Sequence, residues 1–418
     1  MQRRRRCDDT SHVVDGASAA TRDCAVEDVA VKGLLWQQRL PEDVDCPLGQ
    51  CKLEQAQVAP DPAGGVVVIA SAMYTTPTSQ SLRVEGGIIV FRYSGQGEPI
   101  GQALWDFKVT PADLTIERRP SLQTDNTGRL LYASSQAVLP ADRPRSLTLS
   151  ELSGDAVPRT LPPRFRSAPT RPTLVRLGPD GDVLVASAER TAAPPPHEGT
   201  GTWQLEYSER AALTLFDRTG RARWNRVWPG GDQSTRIEGA HIDAQGTVTL
   251  LIRANVDPGR GFRVAQLDRA GKMRWQRLVA DTSRSAELAV AVDGSAYVLS
   301  RTGFNAEKRI ERFDRDGHSA TVWTVAATEY TGASLNLNAR GQVWLALTHR
   351  DPAGDDELRV LGFDASGACR NIARYKWPVP FVPIPVGLAA TLVARDADTI
   401  YVNMVEVLGQ LDTGAGAP

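Results

Sequence analysis

Apolar and polar residues alternate with period two through most of the chain, in short runs that stop at an acidic, Gly-containing step and then resume. The clearest run is Ala265-Gln-Leu-Asp-Arg-Ala-Gly-Lys-Met-Arg-Trp-Gln-Arg-Leu278. Alternation every second residue marks a strand with one buried face, and the D-x-x-G step supplies a Gly free to take positive φ where the chain reverses. Each run therefore predicts two antiparallel strands joined by a tight turn. Asp268, Gly271 and Trp275 recur as Asp217, Gly220 and Trp224, then as Asp314, Gly317 and a delayed Trp323, then as Asp364 and Gly367.

A second element precedes each copy of the first: an apolar strand, an acidic or amide turn, and a strongly β-prone run. Its copies start at Val58, Leu122, Val175, His241, Val290, Leu335 and Leu392. Between successive copies lies one version of the first element, degenerate at Ile88 to Trp105 and at Leu147 to Leu161. Four antiparallel strands in roughly 50–60 residues are the blade of a β-propeller. Gly33 to Leu40, GLLWQQRL, copies the second half of a unit with no partner before it, and Leu408 to Gly414 copies a first half and stops. The pattern predicts an all-β, seven-bladed propeller of four-stranded antiparallel blades, the last one closed by the strand Gly33 to Leu40. Closure would leave no free sheet ends around the ring. Residues 1–30 lack periodicity and read as a flexible leader, with residues 31–418 as one propeller domain. Trp36, Trp105, Trp224, Trp275, Trp323 and Trp377 give nearly every unit one large ring to wedge against its neighbour.

The D-x-x-G-x-x-x-W pattern at Asp217 to Trp224 and Asp268 to Trp275 resembles the pyrroloquinoline-quinone-like repeats of quinoprotein propellers, in which a Trp docks adjacent blades. One residue is missing between Asp and Gly relative to the commonest form. Ala289 to Gly303, AVAVDGSAYVLSRTG, is similar to a bacterial extracellular propeller repeat. Both likenesses are to the repeat. They imply a bacterial propeller, exported or surface-associated, and imply no ligand.

Charge and cysteines add limits. The net charge of −1 on 418 residues gives no nucleic-acid footprint. No run approaches the roughly 18–20 apolar residues of a membrane-spanning helix. Six of the 48 basic residues are Lys, a bias that GC-rich codon usage explains better than anion recognition does. Cys7, Cys24, Cys46 and Cys51 form an even set suited to two disulfides, with Cys369 as a buried thiol. Disulfides predict an extracytoplasmic site, yet the basic start MQRRRRC is followed by no apolar signal core. Either export is directed by a segment upstream or already removed, or the chain is cytoplasmic with free thiols; the cysteines favour export. The five His are scattered and no CxxC pair exists, so no metal is expected.

Chemistry is sparse. There is no nucleophile elbow, no HExxH, no phosphate loop, and no adjacent cysteine pair of the quinoprotein dehydrogenase kind. The expectation is a monomeric, non-catalytic binding or scaffolding propeller without cofactor, facing a protein or glycan partner. The alternative is an enzyme with a carboxylate pair or cofactor in the central channel. Tight turns crowd one face of such a propeller and longer links the other, and long links on a rigid scaffold are where binding residues gather. The candidates there are Tyr74, Arg164, Arg166, His197, Trp203, Tyr207, Tyr330 and Arg350. The plain reading of each is a solvated charge or an aromatic packed over its own blade.

Overall fold

The computed structural model describes residues 22–23, 34–39, 43–46, 49–77, 82–109, 115–125, 127–139, 146–152, 158–160, 172–190, 209–228, 235–256, 259–279, 285–301, 307–325, 330, 332–337, 341–350, 355–363, 369–378, 390–394, 399–404 and 407–412. Every regular element among them is a strand.

Six sheets are each built from four consecutive antiparallel strands, and a further sheet joins strands from far-apart parts of the chain. The organising run shows the common plan. Thr235–Ile242, Val248–Val256, Gly259–Leu267 and Met273–Leu278 pair in order, with Gln266 opposite Trp275 and a bulge before Met273. Asp268 to Lys272 is the turn. Its amide and carbonyl groups close it from Gly271 N to Asp268 O at 2.8 Å and from Asp268 N to Lys272 O at 2.8 Å. The Asp268 carboxylate accepts from the amides of Ala270 and Lys272, which holds the turn from inside. Gly271 has φ of 76°, the left-handed value a Cβ would disfavour. The same bonding recurs at Asp125, Asp217, Asp243 and Asp314.

The innermost strands meet in cyclic order. Contacts run from Gly49–Asp61 to Thr115–Thr124, Pro172–Leu177, Thr235–Ile242, Ser285–Val290, Gly332–Leu337 and Ala390–Ala394, which touches Gly49–Asp61 again. Sheets standing radially around a ring of first strands form a β-propeller. In the composite sheet Leu34–Arg39 pairs antiparallel with Val407–Asp412 beside Thr399–Met404 and Ala390–Ala394, which is the segment and the partner expected from the sequence. Against the seven blades expected, six are made of consecutive strands with buried interiors described, and the composite sheet is described by backbone pairing alone.

Two sheets carry a fifth strand. Asp43–Cys46 pairs beside Gly49–Asp61, and Arg22–Asp23 pairs parallel with Ser319–Val325, Arg22 facing Trp323. The remaining residues of the expected leader, with Cys7 and Cys24, lie outside the described residues, as do the side chains of Cys46 and Cys369. Cys51 is fully buried and disulfide-bonded.

Between blades the core is apolar, and two junctions show how blades dock. A methyl group on Gly271 would lie 2.7 Å from Cδ2 of Trp224, and one on Gly317 would lie 2.6 Å from Cδ2 of Trp275. Each ring therefore lies on the bare Cα of the next blade's turn. Two residues after each Trp an arginine reaches the same turn: Arg226 donates to Gly271 O at 2.6 Å and Arg277 to Gly317 O at 2.8 Å. Trp275 also donates Nε1 to Arg315 O at 2.9 Å and stacks against Phe313. Trp323 stacks on Phe363 of the following blade at 5.2 Å between centroids and on Tyr297 of its own at 6.0 Å. Trp36, Trp105 and Trp377 sit in described strands, but their side chains lie outside the described residues. Trp228 and Trp344 are buried as well, though no repeat position predicts them.

Gly317→Ala should lower stability by about 2–3 kcal/mol, because it adds a clash with Trp275 to a strained φ. Gly101→Ala, where an added methyl meets nothing within 4 Å, should be nearly neutral. Urea denaturation of both variants checks this, and equal midpoints would remove the clamp from the account of blade docking.

Candidate functional site

The strands leave less loop on the far face than the sequence suggests. Gly65–Pro77 and Leu82–Tyr93 pair as far as Pro77 with Leu82, so the expected 74–84 link is mostly ladder. Val256 pairs with Gly259, so the ladder runs through residues 255–256 and 259–261. Alternation simply continues beyond the point where polar residues suggested a loop. Tyr74 and Arg350 fall in these extended strands, paired with Glu85 and Asp356, and their side chains lie outside the described residues. Arg164, Arg166, His197, Trp203 and Tyr207 lie outside the described residues altogether.

Tyr330 is the expected surface residue whose side chain is described, and it is buried between blades at 1% exposure. Its hydroxyl donates to Glu357 Oε1 at 2.5 Å, Arg359 bonds the same carboxylate oxygen at 2.6 Å, and the Arg359 guanidinium lies over the Tyr330 ring. Lys308, fully buried, donates Nζ to the Tyr330 carbonyl. The seam ties the buried Lys308 ammonium to a backbone carbonyl and pairs Arg359 with Glu357. It holds two blades together and offers no surface to a ligand.

Polar side chains gather elsewhere, at the end of the central channel framed by the tight turns. Two positions before each turn the innermost strands carry Ala59, Gln123, Arg176, His241, Ala289 and Asn336. In the same strands the flanking Val58, Val175, Leu177, Ile242, Leu335 and Leu337 are buried among the blades. The six differ in exposure: Ala59 is buried in the core between blades, whereas Gln123, Arg176, His241, Ala289 and Asn336 are partly exposed. A cavity of about 730 Å³ opens there, lined by Ala59, Gln123, His241 and Asn336 together with Val58, Pro60, Asp61, Pro62, Gly65, Leu122 and Thr124. The sequence signal was present: four of these inner strands carry a polar residue at this one position. Attention to loops passes over it.

These groups are unequally occupied. Thr124 donates its hydroxyl to Pro60 O, and Asn336 Oδ1 accepts from the Leu337 amide. Asp61 is held by the Ala63 amide and faces Arg92 at 3.4 Å. The Gln123 amide and the His241 imidazole have no hydrogen-bond partner among the described residues. Burial pushes the His241 pKa below its ordinary 6.5, against Asp243 and with the help of the Arg176 charge, so the ring is neutral at pH 7. Two residues deeper, burial raises the Glu287 pKa, opposed by the Leu335 amide, by Arg301 and by the Ser334 side chain. Glu287 Oε2 accepts from Leu335 N at 3.1 Å and so stitches one inner strand to the next, as the Ser121 hydroxyl does by accepting from Leu177 N. No group of three or more metal-ligating side chains occurs among the described residues, and no helix is long and apolar enough to cross a membrane.

The fold thus defines a β-propeller with a polar channel mouth. No family model matches the chain, and no curated protein does. Among solved structures it is similar to prolyl oligopeptidase B from Galerina marginata, at TM-score 0.48 and 12% identity over 88% of this chain and 49% of that one. The chain spans about half the length of that protein. It is also similar to Drosophila semaphorin 1a extracellular domains 1–2, at TM-score 0.36 and 9% identity over 82% of this chain and 85% of that one. A polysaccharide lyase described as an ulvan lyase matches at TM-score 0.37 and 9% identity, over 86% of this chain and 78% of that one. Likeness at this level carries no argument about the ligand.

The His241 shift has a signed consequence. A native imidazole with a lowered pKa binds fewer protons than the unfolded one, so its stabilisation is complete above about pH 6.5 and declines as pH falls through the window just below. Asp125, Asp217 and Asp314 behave similarly at lower pH: burial raises each pKa, but the turn hydrogen bonds outweigh it, and their contributions are lost only below the ordinary carboxylate value of 3.8. Unfolding midpoints of wild type and His241→Asn, compared between roughly pH 6.5 and pH 5, should diverge, with the wild type losing more on acidification. Parallel slopes would place His241 in a water-like environment.

Proposed function

We propose that this chain is a non-catalytic binding propeller of seven blades and that it recognises a glycan at the turn-side mouth of its central channel. The observation that carries the reading is the pair of side chains Gln123 and His241, which converge on one cavity with no hydrogen-bond partner among the described residues. A half-buried amide and imidazole open to a cavity exchange hydrogen bonds with uncharged donors and acceptors, as sugar hydroxyls are. Val58, Pro60, Pro62 and Leu122 supply apolar surface for the C–H face of a sugar ring. The volume falls in the range of roughly 300–1,000 Å³ typical of small-ligand sites. A closed ring of strands suits a compact end group better than an extended peptide.

The count of seven is supported by the cyclic contacts of seven innermost strands. The non-catalytic reading is supported by Asp61, the acidic residue that lines the cavity, whose carboxylate is taken up by the Ala63 amide and by Arg92. Extracytoplasmic location, bacterial origin and the monomeric state are part of the same proposal. They rest on the cysteines Cys7, Cys24, Cys46 and Cys51 and on the repeat resemblance.

The test is a glycan array followed by calorimetry on the full chain, with Gln123→Ala/His241→Ala as the comparison. Losing two hydrogen bonds should weaken binding of any hit at least about tenfold. Hits that bind the double variant equally well would move the site away from the channel.

A further inference from the structure

Arg176 holds the same register position as Gln123, His241 and Asn336, on the innermost strand between those that carry Gln123 and His241. It differs from them in being permanently charged. One of its five N–H donors is used, Nη1 to the carbonyl of Val175 on its own strand at 2.9 Å. It forms no ion pair with any described residue. The guanidinium is half-buried, and its two neighbours in the ring are the Gln123 amide and the His241 imidazole.

A partly desolvated cation without a counterion is costly, and the cost is recovered when an anion enters beside it. Burial presses the Arg176 pKa down from its ordinary value, and the Arg176 charge in turn helps to keep His241 neutral. The carboxylates near the axis do not relieve it. Glu287 is engaged with Leu335, Glu238 faces Arg236 and Arg253 at 3.8 and 3.7 Å, and Asp61 faces Arg92. Arg176 is not one of the residues lining the cavity itself; it stands on the strand between those of Gln123 and His241, close enough for its charge to act on the His241 ring, and so borders the mouth.

Resting on the glycan reading of the channel mouth, we propose that the saccharide is acidic and that Arg176 pairs with its carboxylate or sulfate ester, while Gln123 and His241 take neighbouring hydroxyls. The planar guanidinium fork suits either oxyanion, and a charge-assisted pair in this setting should exceed a neutral hydrogen bond about twofold in energy. The two anions are distinguished by experiment.

Binding to the full-length protein is measured by calorimetry with three probes: trigalacturonate, its methyl ester, and a sulfated heparin trisaccharide. Wild type should bind one of the two charged probes at least about tenfold more tightly than the uncharged ester, and Arg176→Gln should abolish that preference while retaining weak binding of the ester. Arg176→Lys should restore part of the preference. Inorganic sulfate at constant ionic strength should compete with the preferred probe on the wild type, a readout that needs no variant. If trigalacturonate and its ester bind alike through Gln123 and His241, and the sulfated probe no better, the acidic-ligand proposal is overturned while the channel site stands. If no probe binds, or binding ignores Gln123, His241 and Arg176 alike, both fall.

Discussion

The contact between a tryptophan ring and the bare Cα of a glycine on the next blade is what the rest of this fold depends on. A four-stranded blade buries little on its own, and its faces become a core only when a neighbour stands at the right distance and angle. Trp224 on Gly271 and Trp275 on Gly317 set that distance, since the ring can approach only where no Cβ intervenes. Arg226 and Arg277 then fix the angle by bonding the carbonyl of the same glycine. The glycine thus meets two demands at once: a left-handed turn in its own blade and a flat seat for the preceding one. A substitution there is felt on both sides of a junction.

The opposite face is held by other means. At the junction after the 285–325 sheet, the Lys308, Tyr330, Glu357 and Arg359 seam adds buried hydrogen bonds and an ion pair to the apolar packing. Near the axis Ser121 and Glu287 bond from one inner strand to the backbone of the next. Polar groups in this molecule are thus largely consumed in joining blades. Gln123, Arg176 and His241 are not used in this way, and they share one register position at one end of the channel.

Much of this was legible in the sequence. Repeating D-x-x-G steps gave the turns, because an Asp that caps its own turn and a Gly that can take positive φ are both written in residue type. Trp224 and Trp275 followed from their fixed distance to those turns, and Trp323 from its place in the same strand of the next unit. The closing strand followed from a half-unit at each end of the repeats. The channel site did not follow, because alternation records which residues share a face and leaves unsaid whether that face meets a blade or the axis. Gln123, Arg176, His241 and Asn336 appear in the string as ordinary polar members of strands. Tyr330 misled in the opposite direction: an aromatic in a link between blades has the composition of a binding loop, and its burial is decided by Lys308 and Glu357, distant in the sequence.

The composite sheet links the start of the propeller to its end, Leu34–Arg39 lying beside Val407–Asp412. In kinetic terms this is the pairing of greatest sequence separation among the described strands, and the entropy of closing so long a loop must be met before it forms. Blades of consecutive strands can assemble one after another as the chain emerges, each using only local pairing. The latch waits for the last strand to be made. Until then the strands Gly49–Asp61 and Ala390–Ala394, which meet in the finished ring, face solvent at an open seam. Parting the two ends of the ring requires breaking the pairing between the two most distant strands that pair among the described residues.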